Sequence, residues 1–315
     1  MRAVSADAED GYMLDVMIVG GGPAGMTAGL YAARMGLSAA VMEQLMVGGQ
    51  ASTTSIIENY PGYSKGIGGP ELMMEFQQQA ENAGCEVRYD GIESLDLTGE
   101  VKRARTAAGE VEARTVILCM GAQARKLDVP GEELFRGRGV SYCATCDGAL
   151  YRGQRALVVG GGNTAAEDAL YLAALCEKVY VVHRRDALRA DAALARRIAA
   201  SPNIEMVWNS VVTGFEGART LERAHIRDVK TGAESVLDVS GAFIAVGQTP
   251  QSELVRGQLE LDGAGFIVAG EDTLTSIPGV YAAGDIRAKA LRQVITAAAD
   301  GAVAASMAGK YLMMS

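Results

Sequence analysis

Histidine is almost missing from this chain. There are two in 315 residues, His183 and His225, beside five cysteines and one tryptophan. A zinc site takes about four ligands at suitable spacing, mostly Cys and His. His225 has no cysteine near it in sequence, so no such set can be assembled and no metal is expected. Five cysteines are also too few, and odd in number, for the disulfide framework of a secreted module. Cys85, Cys119 and Cys176 stand alone in apolar or helical surroundings and read as buried, inert thiols.

Long apolar runs are lacking as well. No stretch approaches the ~18–20 residues that a membrane-spanning helix needs, so no membrane partner is expected. The opening MRAVSADAEDGY carries three acidic residues where a signal peptide has a basic-then-apolar order. It reads as a short disordered lead-in to a cytoplasmic protein. Positive charge is not in excess either: the net charge is −9, the opposite of the footprint that displaces counterions from nucleic acid.

What the chain does have is glycine, 39 residues of it, and part of that glycine is placed twice in one pattern. Residues 16–43 read VMIVGGGPAGMTAGLYAARMGLSAAVME, and residues 156–185 read ALVVGGGNTAAEDALYLAALCEKVYVVHRR. At an offset of 140 without a gap, Gly20-Gly21-Gly22 falls on Gly160-Gly161-Gly162 and Leu30-Tyr31 on Leu170-Tyr171. Each copy passes from a β-branched strand through a glycine turn into helical apolar spacing, then back to a Val-rich strand. This is a β-α-β unit written twice. The first glycine (Gly20, Gly160) makes the tight turn, and the second (Gly22, Gly162) lets the backbone approach a pyrophosphate. The third position, Gly25 or Ala165, stays small so that helix and strand can pack. The helix N-terminus then offers free N–H groups to the phosphates.

The residue ending the second strand separates the two copies. In the first it is Glu43, suited to a ribose with a free 2′-hydroxyl. In the second, the same register gives His183, followed by Arg184, Arg185 and Arg189, a cationic group suited to a 2′-phosphate. Two different dinucleotides follow: NADPH in the second copy and FAD in the first.

After about residue 245 come GAFIAVGQTP, TSIPGVYAAGDI and an alanine-rich helix over 291–312, with no third nucleotide turn. These segments complete an existing domain. The predicted fold is therefore α/β, with two Rossmann-like dinucleotide-binding domains and the NADPH domain inserted into the FAD domain. Its expected boundaries are 1–125 for the first part of the FAD domain, 126–248 for the NADPH domain, and 249–315 for the rest of the FAD domain. The inserted domain also holds SYCATCDG, whose Cys143 and Cys146 form a C-x-x-C pair. Locally the pair fits a redox disulfide, half of a metal site or two small core residues. The shortage of histidine counts against metal, and a chain with flavin and NADPH still needs an electron acceptor. Exchange at a disulfide releases a thiolate that must be protonated, and with so little histidine Asp147 is the best donor at hand.

Nine motifs in order, GGGPAG (20–25), GGQ (48–50), IENYPG (57–62), GRGVSYCATCDG (137–148), GGGNTAAEDALYL (160–172), HRRDALRA (183–190), AVGQTP (245–250), TSIPGVYAAGD (275–285) and RQVITAAADG (292–301), span nearly the whole chain. Together they resemble the bacterial-type, low-molecular-weight NADPH-dependent thioredoxin reductases. The resemblance implies Gly20, Gly22, Pro23 and Ala24 at the FAD pyrophosphate and Glu43 at its adenosine ribose. It implies Gly49, Gln50 and Asn59 along the ribityl chain and ring, with Gly121 also lining the FAD site. Asp285 would bond a ribityl hydroxyl, and Arg292, Gln293 and Val294 would close over the flavin. For NADPH it implies Gly162, Asn163 and Thr164 at the pyrophosphate, with His183, Arg184, Arg185 and Arg189 at the 2′-phosphate. Cys146 would face the flavin, Cys143 would attack the partner disulfide, and Asp147 would act as acid and base. The implied partner is thioredoxin, with a peroxiredoxin or glutaredoxin-like protein as the alternative, and the implied assembly is a homodimer.

Overall fold

A computed structural model of the chain describes residues 13–54 and 56–314. The lead-in expected over the first twelve residues lies outside them. The first part of the chain contains β1 (Leu14–Val19), α1 (Pro23–Arg34), β2 (Ala39–Met42), α2 (Gly69–Asn82), β3 (Glu86–Arg88), β4 (Ile92–Asp96), β5 (Lys102–Thr106) and β6 (Gly109–Leu118). Then follow β7 (Ala122–Ala124), β8 (Val140–Ser141), α3 (Ala144–Asp147), β9 (Arg155–Gly160), α4 (Asn163–Ala173), β10 (Lys178–Val182), α5 (Ala192–Ala200) and β11 (Ile204–Val207). The chain continues through β12 (Ser210–Glu216), β13 (Arg223–Asp228), β14 (Glu234–Asp238), β15 (Gly241–Ala245), β16 (Gln248–Pro250), β17 (Val280–Ala282) and α6 (Val294–Met314). Two compact units result: residues 1–123 with 249–315, and residues 124–248.

In the first unit β3, β2, β1 and β6 run parallel in that order, β17 joins β6, and β5 and β4 add an antiparallel margin. β1 is apolar at every position but Asp15 because both of its faces are covered: Val16 and Ile18 pack with α1, α2 and α6, and Leu14, Met17 and Val19 with β4, β5 and apolar side chains of residues 254–286. The alanine-rich helix runs from Val294 to Met314, starting later than its sequence pattern. The delay has a local cause: the Thr296 hydroxyl accepts from the Gln293 N–H at 3.1 Å and closes a turn ahead of the helix. α6 packs on α1 through small residues. A Cβ at Gly301 would run into the Ala24 carbonyl, so the two backbones touch.

The second unit repeats the plan with β11, β10, β9 and β15 parallel, β8 beside β15, and a separate antiparallel sheet of β12, β13 and β14. The sequence repeat holds at the level of hydrogen-bonding register. Val16 opposes Ala39 in the first unit and Ala156 opposes Val179 in the second, each pair moved by the same 140 positions. In both sheets the strand before the glycine turn has neighbours that leave in opposite directions, β2 and β6 around β1, β10 and β15 around β9. Such a switch point opens a crevice at the carboxyl ends of the strands, where open α/β sheets take their ligands.

Candidate active site

The first crevice is shaped by backbone. Gly20 has φ +102, and a Cβ there would lie 2.6 Å from the Cys119 carbonyl oxygen, so only glycine makes this turn. Gly22, by contrast, faces open space: a Cβ there would meet nothing within 4 Å. It caps α1 without a side-chain hydrogen bond, and Pro23 follows at the first turn. The first N–H groups of α1 therefore have no side chain competing for them. Ala24 turns its side chain inward, against Gly284. Glu43 is tied to the turn itself: Oε2 accepts from the Gly21 N–H at 2.8 Å, and Oε1 from the Gln44 N–H at 2.7 Å. Oε1 also accepts from the Leu45 N–H at 3.3 Å, so it is Oε2 that retains a lone pair for a further donor.

Further along the same unit, Gly49 and Gln50 open a short 3-10 turn, exposed. Gly121 has a Cβ position free of neighbours and φ +68. Asn59 and Gln293, 234 positions apart in sequence, meet through a 3.0 Å hydrogen bond from Asn59 Nδ2 to Gln293 Oε1. Arg292 lays its guanidinium over Phe266, 4.1 Å from the ring centroid, and Val294 begins α6. Asp285 is largely buried, which pushes its carboxyl pKa upward, and its Oδ1 has no partner among the described residues. A buried acceptor without a donor is costly unless a ligand supplies one.

In the second crevice Gly160 makes the turn and Gly162 is again open, capping α4 without a side-chain bond. Asn163 exchanges two hydrogen bonds with Asp191, donating to its carboxylate at 2.8 Å and accepting from its N–H at 2.9 Å. Thr164 is exposed at the first turn. The four residues read as a 2′-phosphate grip divide. Arg184, Arg185 and Arg189 are exposed and enter no ion pair among the described residues, and the Arg189 N–H anchors their loop on the Gly161 carbonyl at 2.7 Å. His183 is buried, its ring filling the space that a Cβ on Gly161 would need, and its Nε2 has no partner among the described residues. Burial, with Arg189, Arg185 and Arg184 nearby, holds its pKa below the usual imidazole value.

Between β8 and α4, Cys143 and Cys146 form a disulfide with their Cα atoms 5.3 Å apart. Cys143 precedes α3, and its carbonyl accepts from the Cys146 and Asp147 N–H groups at 3.3 and 3.2 Å. Buried Ser141 organises the rest. Its hydroxyl lies 2.6 Å from Asp147 Oδ2, to which it donates, and accepts from the Cys143 N–H at 3.1 Å. Ser141 thus ties Asp147 to the Cys143 backbone, a link that sequence reasoning passed over. Nothing about a serine two residues before a cysteine marks it, because its partner is six positions away. The other three cysteines are free and buried, and burial raises their thiol pKa values, that of Cys85 to about 12. Asp300 bonds to Arg287 and Lys289, a second group whose contacts sequence reasoning did not anticipate. Among the described residues no cluster of His, Cys, Asp and Glu could hold a metal ion, and no helix is long and apolar enough to cross a membrane.

The family model described as pyridine nucleotide-disulphide oxidoreductase matches residues 14–301. The thioredoxin reductase of Mycolicibacterium smegmatis is 46% identical over 299 residues, covering 95% of this chain and 96% of that protein. A bifunctional thioredoxin reductase/thioredoxin of Mycobacterium leprae is 44% identical over 300 residues, covering 95% of this chain and 66% of that longer one. Among solved structures, thioredoxin reductase from Streptococcus pyogenes superposes with a TM-score of 0.92 at 45% identity, covering 97% of this chain and all of that one.

Proposed function

We infer the reaction from one premise: the chain belongs to the pyridine nucleotide-disulphide oxidoreductase family, whose members use a flavin and a pyridine nucleotide. It is a thioredoxin-disulfide reductase, in which an electron pair passes from NADPH to FAD, then to the Cys143–Cys146 disulfide, then to oxidised thioredoxin. The observation that carries this is the disulfide itself, formed in a chain that holds two open glycine crevices of different charge.

The residues of the first unit fit FAD. The backbone at Gly22 is open to a pyrophosphate, Glu43 Oε2 has a lone pair free for a ribose, and the Asp285 Oδ1, orphaned among the described residues, needs a hydroxyl donor. The residues of the second unit fit NADPH, because Gly162 is equally open and three arginines have, among the described residues, no acidic partners that a phosphate would have to displace. FAD, when bound, supplies the ring that accepts two electrons from NADPH and yields them to the disulfide. The protein's own chemistry is thiol exchange. Cys143 as thiolate attacks one sulfur of the partner disulfide, forming a mixed disulfide and releasing a partner thiolate. Cys146 then attacks Cys143 Sγ, releasing the second partner thiolate and restoring the Cys143–Cys146 bond. Asp147, fixed by Ser141, delivers the proton that a leaving thiolate requires. The same reading makes the protein a cytoplasmic homodimer, for which light scattering is the check.

The test is NADPH-dependent reduction of thioredoxin by the purified, flavin-loaded protein, followed as new thiols, with Cys146→Ser as control. Turnover that Cys146→Ser abolishes is expected. Equal turnover with the variant, or flavin reduction by NADPH without any gain of protein thiols, would overturn it.

A further inference from the structure

Asp300 sits inside α6 as the meeting point of a buried ionic group. Its Oδ2 accepts from the Gly284 N–H at 3.0 Å, from Arg287 Nε at 2.9 Å and from Lys289 Nζ at 2.8 Å, and its Oδ1 from Arg287 Nη2 at 2.8 Å. The side chains of Arg287, Lys289 and Asp300 are 12%, 7% and 10% exposed. Two cations on one buried carboxylate are a poor route to stability, because desolvating three charges offsets most of their attraction. What the arrangement does fix is geometry. All three donors lie within residues 284–289, and Arg287 also reaches the carbonyls of Ala269 and Gly270 at 3.4 and 3.3 Å.

The segment held in this way contains Asp285, directly after the clamped Gly284 N–H. Arg292 closes its far end, 3.5 Å from the Asp285 carbonyl and 3.4 Å from that of Arg287. Asp285 is also the residue whose buried Oδ1 has no partner among the described residues. We propose that Asp300 is a positioning residue for the flavin half of FAD: by clamping Gly284, Arg287 and Lys289 it holds the Asp285 carboxylate where a ribityl hydroxyl can donate to it. The proposal rests on the reading of the first unit as the FAD site. It assigns Asp300 no contact with the nucleotide half, which lies at Gly22 and Glu43.

That split gives the test. Protein stripped of flavin is titrated with FAD and, separately, with ADP, which carries only the nucleotide half. Asp300→Asn should raise the FAD dissociation constant about 10- to 100-fold, the range that loss of a charge-assisted hydrogen bond produces. The ADP constant should stay within about twofold. A second variant, with Arg287→Leu, Lys289→Leu and Asp300→Leu together, replaces the buried charges with apolar side chains and should unfold no earlier than the parent. Its FAD affinity should nevertheless stay low. Parallel loss of FAD and ADP in Asp300→Asn, or parental FAD affinity in the triple variant, would reduce Asp300 to a structural role. If the parent itself bound neither FAD nor ADP, the underlying reading of the first unit would fail, a result distinct from either of these.

Discussion

Gly161 and His183 compete for one volume, and a double-mutant cycle can measure it. A Cβ built on Gly161 falls on three atoms of the His183 ring. The glycine is not in the left-handed region, so alanine brings no backbone penalty there. The whole cost of Gly161→Ala is therefore the displacement of a buried imidazole. Overpacking of this kind costs about 1–3 kcal/mol. His183→Ala alone leaves a cavity beside Trp208, whose ring centroid is 6.3 Å away, and should cost about 2–4 kcal/mol by analogy with other large-to-small core changes. In the double variant the new methyl occupies part of the space vacated by the ring. The two costs should then fall short of their sum by about 1–2 kcal/mol, a coupling typical of residues in contact. Urea unfolding gives the three free-energy differences, and titration with NADPH gives the same cycle for binding. Additive free energies would refute the packing argument. They would mean that the new methyl and the His183 ring do not contend for one volume.

Three further outcomes are expected. Ser141→Ala removes the donor to Asp147 and the acceptor of the Cys143 N–H; reoxidation of the reduced enzyme by thioredoxin should slow about tenfold, the cost of one hydrogen bond to a charged group, and Ser141→Thr should restore it. Gly301→Ala gains about 1 kcal/mol of helix propensity but drives a methyl into the Ala24 carbonyl; a net loss of about 1–2 kcal/mol in urea unfolding is expected, and a stabilised variant would show that α6 can slide on α1. Asp168, raised to about 7 by burial, has a folded pKa above its unfolded value of 3.8. Its contribution to stability is thus fully present below pH 3.8 and is lost as the pH rises through about 7; Asp168→Asn should flatten that part of the stability–pH curve, and an unchanged slope would refute the assignment.

The sequence disclosed the parts that depend on local spacing. Both glycine turns, the strands beside them and the basic cluster follow from residue types at fixed intervals, because a β-α-β unit is folded by short-range geometry. The sequence did not disclose which side chain reaches which across long separations. Asn59 and Gln293 lie 234 positions apart, and Asp300 meets Gly284 only because α6 returns over the first unit. The basic cluster shows the same limit at short range. His183 stands in line with three arginines, yet as the first residue after β10, its N–H still bonded to the Val207 carbonyl of β11 at 3.0 Å, it is buried, while its neighbours move away from the strand and become exposed.

The two copies of the repeat therefore solve one problem with opposite chemistry. In each, the middle glycine's carbonyl is held by an N–H from the loop after the second strand, Gly48 for Gly21 and Arg189 for Gly161. In the first copy Glu43 reaches back and accepts from the Gly21 N–H, which leaves a carboxylate at the crevice edge. A 2′-phosphate brought to that edge would meet like charge. In the second copy the same register holds an imidazole, buried beneath Gly161, whose pKa burial lowers. The residue that supports the turn then brings no negative charge, and the arginines beside it can act on an anion unopposed. If the two crevices take FAD and NADPH as proposed, selectivity between them begins with the removal of a carboxylate, and the arginines add to it.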